Sequence, residues 1–153
     1  MDANKMDTHV DFEKAADVLK HEHRLIEKVL SVLEKFAADP QTGSFQAWGK
    51  VLEFIREFAD KCHHLKEEKI FFPALEGHGV SVAGGPLGAM LEEHELGRAY
   101  VKEMREALER WKNGEEDAKA ALSENARAYL RLLKDHIQKE DEVLFVMADE
   151  VFT

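Results

Sequence analysis

The sequence predicts an all-α fold, an up-down-up-down antiparallel four-helix bundle. Glycine and proline are few, at 9 and 3 of 153 residues, and most lie between segments whose apolar residues recur every three or four positions. These segments are joined by short connections, which make successive helices antiparallel neighbours. A chain of this length is enough for one domain with one core, so residues 1–153 are predicted to form a single domain.

The first helix is predicted over about residues 10–37, and it ends at the Asp-Pro-Gln-Thr-Gly connection. His21 lies about 200° around the helix from His23 and is predicted to face solvent. The residues of the inward face share helical spacing, and only His23 among them is polar: Phe12, Ala16, Leu19, His23, Ile26, Leu30, Leu33 and Ala37.

The second helix is predicted over about residues 44–76, with Ser44 as its N-cap, and a glycine-rich loop follows it. His63 and Glu67 are the polar residues of its inward face. That face is predicted to consist of Leu52, Ile55, Ala59, His63, Glu67, Ile70 and Ala74.

The third and fourth helices are predicted over about residues 86–111 and 115–151, with Pro86 as the first residue of the third. The inward face of the third helix is apolar except for one histidine: Leu87, Met90, His94, Gly97, Val101, Met104, Leu108 and Trp111. The face of the fourth combines apolar residues with a histidine and a glutamate one turn apart: Ala118, Leu122, Asn125, Tyr129, Leu133, His136, Glu140, Val143 and Met147.

A near-repeat carries the chemistry of the chain. His-His-Leu-Lys-Glu-Glu-Lys-Ile-Phe-Phe-Pro at 63–73 resembles His-Ile-Gln-Lys-Glu-Asp-Glu-Val-Leu-Phe-Val at 136–146. In each, a glutamate follows a histidine by four residues, or about 400° of helix, so both side chains share one face. In the bundle, all four inward histidines are expected at a similar height.

A metal site explains why the polar residues are confined to one layer of the core. Without metal, the buried imidazoles and carboxylates would each cost several kcal/mol unless paired. We therefore predict that six residues ligate metal: His23, His63, Glu67, His94, His136 and Glu140. Imidazole and carboxylate without thiolate suit Fe, Mn or Zn. Two glutamates that can bridge favour two non-haem iron ions, with Mn or Zn as possible substitutes.

Other polar residues near these faces are weaker candidates. His64 shares a polar stripe with Glu53 and Glu57, so it is predicted beside the ligands or at the surface. Asp141 lies about 100° from the face of His136 and ranks below Glu140. Glu27 could turn inward as a further ligand. Tyr129 is predicted to be a core aromatic whose hydroxyl reaches a partner, with a proton-donor role near the site as the alternative.

Composition limits the partners. A net charge of −10 argues against nucleic acid, whose phosphates need lysine and arginine. No run of 18 apolar residues predicts a membrane span, and the first residues lack the apolar core of a signal peptide. The single cysteine, Cys62, fits a reducing compartment, so a cytoplasmic location is expected.

The chain resembles the hemerythrin-like, or HHE cation-binding, family. The resemblance rests on Glu-His-Arg-Leu-Ile-Glu at 22–27, Glu-His-Glu-Leu-Gly-Arg at 93–98 and the two stretches of the near-repeat. It implies a four-helix bundle around an oxo- or hydroxo-bridged di-iron centre. In that centre His23, His63, His94 and His136 would be terminal ligands, with Glu67 and Glu140 bridging the irons.

Two departures from the family pattern bear on function. Oxygen-carrying hemerythrins have two histidines four apart on the third helix, whereas Met90 and Arg98 flank His94 here. One iron would then lack an imidazole, and solvent or a carboxylate such as Glu93 would take its place. The family's second carboxylate follows its histidine by five residues, which would select Asp141, while the repeat favours Glu140.

The expected function is binding or reduction of a small oxidant, namely peroxide, dioxygen or nitric oxide, at the metal. An open position at one iron favours reaction over reversible transport. Peroxidase- or catalase-like turnover would be the enzymatic form of this function. The alternatives are a non-enzymatic oxygen or iron sensor or carrier, and iron storage or donation for repair.

Overall fold

Four long helices make up the part of the chain that the computed structural model describes, residues 3–82 and 84–152, with side chains from residue 15 onward. No strand occurs in these ranges. The first helix spans Ala3–Ala38 and the third Pro86–Lys112. The second helix spans 45–77, after a single 3₁₀ turn at Pro40–Thr42, and the fourth spans 118–152. The first helix thus begins earlier than predicted, and Phe12 lies outside the described side chains.

The second and fourth helices contain π-helical stretches. In the second helix these stretches are Ile55–His64 and Glu67–Phe71, flanked by α-helix at Phe45–Phe54 and Phe72–Gly77. In the fourth helix Glu140–Leu144 is π-helical, between the α-helical Ala118–Lys139 and Phe145–Phe152. A π turn closes i→i+5 hydrogen bonds, so it holds one more residue than an α turn and shifts every later side chain around the helix.

Two of the predicted helix starts are confirmed. The Ser44 hydroxyl accepts a hydrogen bond from the backbone N–H of Ala47 at 3.0 Å, which satisfies one donor of the second helix's first turn. Pro86 is the first residue of the third helix, where its missing N–H costs no helical hydrogen bond. The third helix ends before Gly114, whose φ of +99° suits a residue without a side chain.

The helices pack in a ring in which the first contacts the second and fourth, and the third contacts the same two. Their apolar side chains form two separate core clusters. One cluster contains Ile26, Ala59, Val101 and Ile137, and the other contains Leu19, Phe71, Met90 and Leu144. On every helix a histidine or glutamate of the predicted site lies between these two clusters. A single polar layer therefore divides the core.

The π turns make part of the predicted inward faces wrong. Ile70 is 54% exposed and Val143 is 51% exposed, although both were predicted to face inward. Their following neighbours, Phe71 and Leu144, are each 1% exposed and belong to the core. Ideal α-helical spacing fails there because each π turn begins at the glutamate of a His-x-x-x-Glu pair and advances the register by one residue.

The first and third helices keep ideal spacing, and their predicted faces are confirmed wherever side chains are described. Every predicted residue of these faces, from Ala16 to Ala37 and from Leu87 to Trp111, is buried. None of the described helices combines the length and apolar character needed to cross a lipid bilayer.

Candidate metal centre

Seven side chains of the polar layer converge at the middle of the bundle. They fall into two groups in which one potential ligand atom from each residue lies within 4.8 Å of the others. One group is His64, Glu67, His94 and His136, and the other is His23, His63, Glu67 and Glu140. All seven are buried. We refer to these seven residues as the cluster.

The two carboxylates of the cluster lie between its two groups. Glu67 belongs to both: its Oε1 lies 3.2 Å from His94 Nε2, and its Oε2 lies 3.8 Å from His63 Nε2. Glu140 is placed similarly, because its Oε1 lies 3.0 Å from His23 Nε2 and 3.2 Å from His136 Nε2. Each glutamate therefore lies between histidines of both groups, which is the position a bridging carboxylate needs.

Several buried polar atoms of the cluster have no hydrogen-bond partner within the described residues. They are His63 Nε2, both carboxylate oxygens of Glu67 and Glu140 Oε2. In addition, His94 Nε2 and His136 Nε2 face each other at 3.2 Å. Unpartnered buried acceptors cost free energy, whereas a cation between them would be coordinated by all of them. The cluster thus fits metal ions better than it fits protons alone.

Each cluster histidine points its other ring nitrogen at a carboxylate outside the cluster. His63 Nδ1 donates to Glu22 at 2.9 Å, His94 Nδ1 to Glu68 at 2.7 Å, and His136 Nδ1 to Glu93 at 2.8 Å. His23 Nδ1 donates to Asp141 at 2.9 Å, and His64 Nδ1 faces Asp60 at 3.6 Å. We call these five acids the outer carboxylates.

The outer carboxylates fix the tautomer of the histidines. An ionised carboxylate only accepts hydrogen bonds, so the Nδ1 that it contacts must carry the proton. Nε2 is then the nitrogen left to face the cluster, as it does at His23, His63, His94 and His136. A carboxylate behind a histidine is the usual support of a metal-binding imidazole, because it orients the ring and makes it more basic.

A further layer of cations holds the outer carboxylates. Lys66 Nζ lies 2.5 Å from Glu22, Arg24 bonds Asp141, and Lys139 bonds Glu93. The Arg98 guanidinium reaches two outer carboxylates at once, Asp60 at 2.7 Å and Glu68 at 2.6 Å. These cations favour the ionised form of the carboxylates that orient the histidines.

Burial sets the protonation of two cluster histidines. Burial and the nearby charges of His94 and His136 hold the pKa of His64 well below its usual value. Burial, followed by the charge of His136, lowers the pKa of His94 to about 4. Both rings are therefore neutral near pH 7, which is the form that binds metal.

The two cluster glutamates affect each other. Burial and the neighbouring charge of Glu140 hold the pKa of Glu67 well above its usual value. A buried carboxylate of this kind ionises readily only when a cation lies against it. The raised pKa of Glu67 and its unpartnered oxygens therefore both favour a cation beside this carboxylate.

His64 is the cluster residue that sequence reasoning ranked too low. It was predicted beside the ligands or at the surface, but it is only 5% exposed. Its ring stacks on His94 with centroids 4.0 Å apart. Residues 63 and 64 both face the cluster because they end a π-helical stretch, in which successive side chains are separated by a smaller angle than in an α-helix. The cluster contains five histidines, three in one group and two in the other, so the sixth ligand place that the prediction left to solvent or Glu93 has an imidazole nearby.

The remaining weaker candidates lie outside the cluster. Asp141 is an outer carboxylate, whereas Glu140 is fully buried inside the cluster. Glu93 lies behind His136 and does not take the place of an imidazole. Glu27 is 48% exposed and pairs with Arg24, so it does not turn inward. Tyr129 is 2% exposed and lines a cleft next to His64 and His94.

The sequence contains a pattern that could have predicted four of the outer carboxylates. Each is the chain neighbour of a cluster residue: Glu22 beside His23, Glu68 beside Glu67, Glu93 beside His94 and Asp141 beside Glu140. Because neighbours in an α-helix point about 100° apart, one faces the bundle centre while the other meets an adjacent helix. There it supports the histidine of that helix rather than its own neighbour.

Comparison with known proteins agrees with this geometry. The family model described as hemerythrin HHE cation binding domain matches residues 14–148. Uncharacterized proteins of Mycobacterium bovis and Mycobacterium tuberculosis are 24% identical to the chain over 143 residues, covering 91% of it. The chain spans about half the length of these curated relatives, 55%. No solved structure matches it significantly.

Proposed function

Because the chain belongs to the hemerythrin HHE cation-binding domain family, we propose that it is a non-haem di-iron protein that binds or reduces a small oxidant. The oxidant is peroxide, dioxygen or nitric oxide. The observation that carries the proposal is the set of unpartnered atoms on His63, Glu67 and Glu140 at the centre of an otherwise apolar core. Mn or Zn could occupy the same ligands in place of iron.

In this proposal each ligand group holds one iron ion. His23 and His63 would hold the first ion, and His64, His94 and His136 would hold the second. Glu67 and Glu140 would serve both ions, because each lies between histidines of both groups. Iron bound there would supply the electrons that reduction of an oxidant requires. The protein's part is to orient the imidazoles and to keep their ring nitrogens buried in the core.

A small molecule suits the space beside the cluster better than an organic substrate does. The cleft that His64 and His94 line has a volume of about 200 Å³. Pockets for drug-sized ligands enclose roughly 300–1,000 Å³. The size of the cleft therefore supports a small ligand.

The proposal includes the up-down-up-down order of the helices. The order in which each helix meets the two core clusters supports it. The first and third helices pass from the cluster of Leu19 and Met90 to the cluster of Ile26 and Val101. The second and fourth pass in the opposite sense, for example from Ile137 to Leu144. Alternating directions are those of an antiparallel bundle with short connections.

The proposal also covers the cellular location and the partners of the protein. We place it in the cytoplasm, which is consistent with a single cysteine. The net charge of −10 makes nucleic acid an unfavourable partner. We propose that its partners are the small oxidants themselves.

The proposal is tested by counting the iron bound per chain and by comparing the iron-loaded protein with a zinc-loaded control. Protein expressed with iron should contain close to two irons per chain and absorb in the near ultraviolet. In a stopped-flow experiment the iron form should react with peroxide. The zinc-loaded protein is the control, because zinc fits the same ligands but has no redox chemistry. Fewer than one iron per chain in folded protein would refute the di-iron centre.

The same stopped-flow experiment separates the enzymatic from the other functions. Repeated turnover of peroxide supports a peroxidase- or catalase-like enzyme, whereas a stable adduct supports a sensor or carrier. Rapid loss of iron to a chelator supports storage or donation. The full burial of Glu67 and Glu140 disfavours such rapid loss.

A further inference from the structure

A row of apolar side chains lies on the outer side of the first helix. Val18, Leu25 and Val32 recur every seven residues and are 47%, 36% and 39% exposed. Residues seven apart lie on nearly the same side of a helix, because seven residues make almost two full turns. These three side chains therefore form one continuous row in contact with solvent.

The second helix carries a matching row of residues four apart. Phe54 and Phe58 stack with ring centroids 4.9 Å apart and are only partly buried. Cys62 is half-buried and hydrogen-bonds Lys66, and Ile70 is 54% exposed. In a π-helical stretch residues four apart stay close to one line, so these side chains share one side of the helix.

The two rows lie side by side. Glu22 of the first helix bonds Lys66 of the second at 2.5 Å, and Phe36 packs against Trp48 with ring centroids 5.2 Å apart. These contacts join the two helices in opposite chain directions, so the rows border each other along the bundle. We refer to the two rows together as the apolar face.

The apolar face has little net charge in a chain whose net charge is −10. The Glu22–Lys66 pair lies between the rows, and its two charges cancel. Two copies of an acidic chain repel each other over most of their surface, but this repulsion is weakest where the surface is neutral. Contiguous exposed apolar surface marks an interaction site. A second copy of the chain can therefore meet this face at low electrostatic cost.

Opposite charges stand at similar heights on the outer edges of the two rows. Lys28 lies six residues after Glu22, and Glu57 lies six residues before His63, which Glu22 contacts at 2.9 Å. Lys28 and Glu57 are therefore at a similar height along the bundle, and both are exposed.

A second pair of opposite charges lies nearer the other end of the face. Asp17 is five residues before Glu22, and Lys69 is three residues after Lys66. Both are exposed. Because Glu22 and Lys66 are in contact, Asp17 and Lys69 also lie at a similar height, one on each edge of the face.

We propose that the apolar face is the contact between two copies of the chain in a two-fold symmetric dimer. With the two-fold axis along the bundle, the first helix of each copy lies over the second helix of its partner. Lys28 then faces the partner's Glu57, and Asp17 faces the partner's Lys69, so both edges are complementary in charge. The inference goes beyond the proposed function and does not depend on the metal.

Sedimentation velocity of the iron-loaded protein tests the dimer. At about 100 µM the parent should sediment with twice the chain mass of 17.5 kDa. Leu25→Asp places a charge at the centre of the face and should raise the dissociation constant of the dimer about a hundredfold. Leu96→Asp is the matched control, because Leu96 is 45% exposed but lies on the third helix, and it should leave the dimer intact.

A charge exchange tests the two-fold arrangement. Lys28→Glu and Glu57→Lys each place like charges together at two symmetric positions, so each should raise the dissociation constant of the dimer about tenfold. The combined variant restores opposite charges and should return close to the parent value. A combined variant weaker than either single variant would overturn this arrangement.

The reactivity of Cys62 provides a measurement without any substitution. Its rate of labelling by N-ethylmaleimide should fall about fivefold between about 1 µM and about 100 µM parent protein, because the dimer covers the face. A rate that does not depend on protein concentration would contradict the proposal, even if Leu25→Asp proved unstable.

Other results would assign the face to something else. A parent that remains a monomer at about 100 µM would overturn the dimer. If that monomer floated with phosphatidylglycerol vesicles and Leu25→Asp did not, the face would bind a lipid surface. A dimer that Leu25→Asp leaves intact would place the contact outside the apolar face and would equally overturn the proposal.

Discussion

His64 and His94 stack face to face, with ring centroids 4.0 Å apart and an angle of 18° between the ring planes. They come from the second and third helices, and both belong to the same ligand group. Each ring has an acid behind Nδ1, Asp60 at 3.6 Å and Glu68 at 2.7 Å, and Arg98 bonds both acids. The pair therefore supplies two of the three imidazoles of one ligand group.

His64→Ala should reduce the iron content from about two to about one per chain. The variant removes an imidazole from one group but leaves His23, His63, Glu67 and Glu140 intact. Elemental analysis of purified protein measures the change. His21→Ala, at an exposed position two residues from His23, is the control and should keep both irons. A His64 variant that retains two tightly bound irons would show that the ring is only a neighbour of the metal.

Glu140→Ala should release more metal than Asp141→Ala does. Glu140 is fully buried and its Oε1 lies within 3.2 Å of histidines from both groups, whereas Asp141 contacts His23 from outside. Loss of an outer carboxylate weakens metal affinity about 10–100-fold without removing a ligand. Competition with a chelator measures both affinities. If Asp141→Ala were the more damaging change, the bridging role would belong to Asp141.

Much of the fold was predictable because most of the chain keeps ideal helical spacing. The first and third helices have the predicted faces, and Ser44 and Pro86 begin the next two helices as expected. The errors in the predicted faces lie at the π turns. There Phe71 and Leu144 occupy the core in place of the predicted Ile70 and Val143. The extra residue of a π turn leaves no separate mark in composition, so ideal periodicity cannot reveal it.

The candidate site was predictable to the extent that its residues share one helix face. His23, His63, Glu67, His94, His136 and Glu140 were all derived from spacing, and the structure brings them together. His64 was missed because ideal spacing separates neighbours by about 100°. Arg98 illustrates the second limit. It is one of the two positions, four residues from His94, where an oxygen carrier could have its second histidine, and here it reaches outward to Asp60 and Glu68. Such contacts between helices depend on packing that a single sequence does not specify.

Arg98→Met should weaken metal binding at the position of His64 and His94, by about 10–100-fold. The guanidinium bonds Asp60 and Glu68 simultaneously, so its loss leaves two carboxylates less firmly oriented behind those rings. Arg98→Lys should restore only part of the affinity, because an ammonium lacks the planar fork that binds two carboxylates. Arg110→Met, at an exposed position, is the control. Equal chelator competition by all three variants would contradict this positioning role.

Removal of metal should lower the thermal stability of the protein. The unpartnered atoms of His63, Glu67 and Glu140 are buried in the apo-protein, and metal that binds only the folded state stabilises it. At a free metal concentration a hundred times the dissociation constant, the gain is about 2.7 kcal/mol. For a chain of this size that corresponds to a rise in Tm of roughly 5–10 °C.

Calorimetry of the loaded and chelator-treated protein measures this difference in Tm. Glu67→Gln removes a charge that both metal positions use, while it keeps nearly the same side-chain shape. Its apo form should be about as stable as the parent apo form, because the raised pKa of Glu67 keeps the parent carboxyl protonated without metal and the amide is likewise uncharged. Added iron should then raise its Tm less than it raises that of the parent. An apo-protein as stable as the loaded protein, with no response of Tm to iron, would show that the polar layer is satisfied without metal.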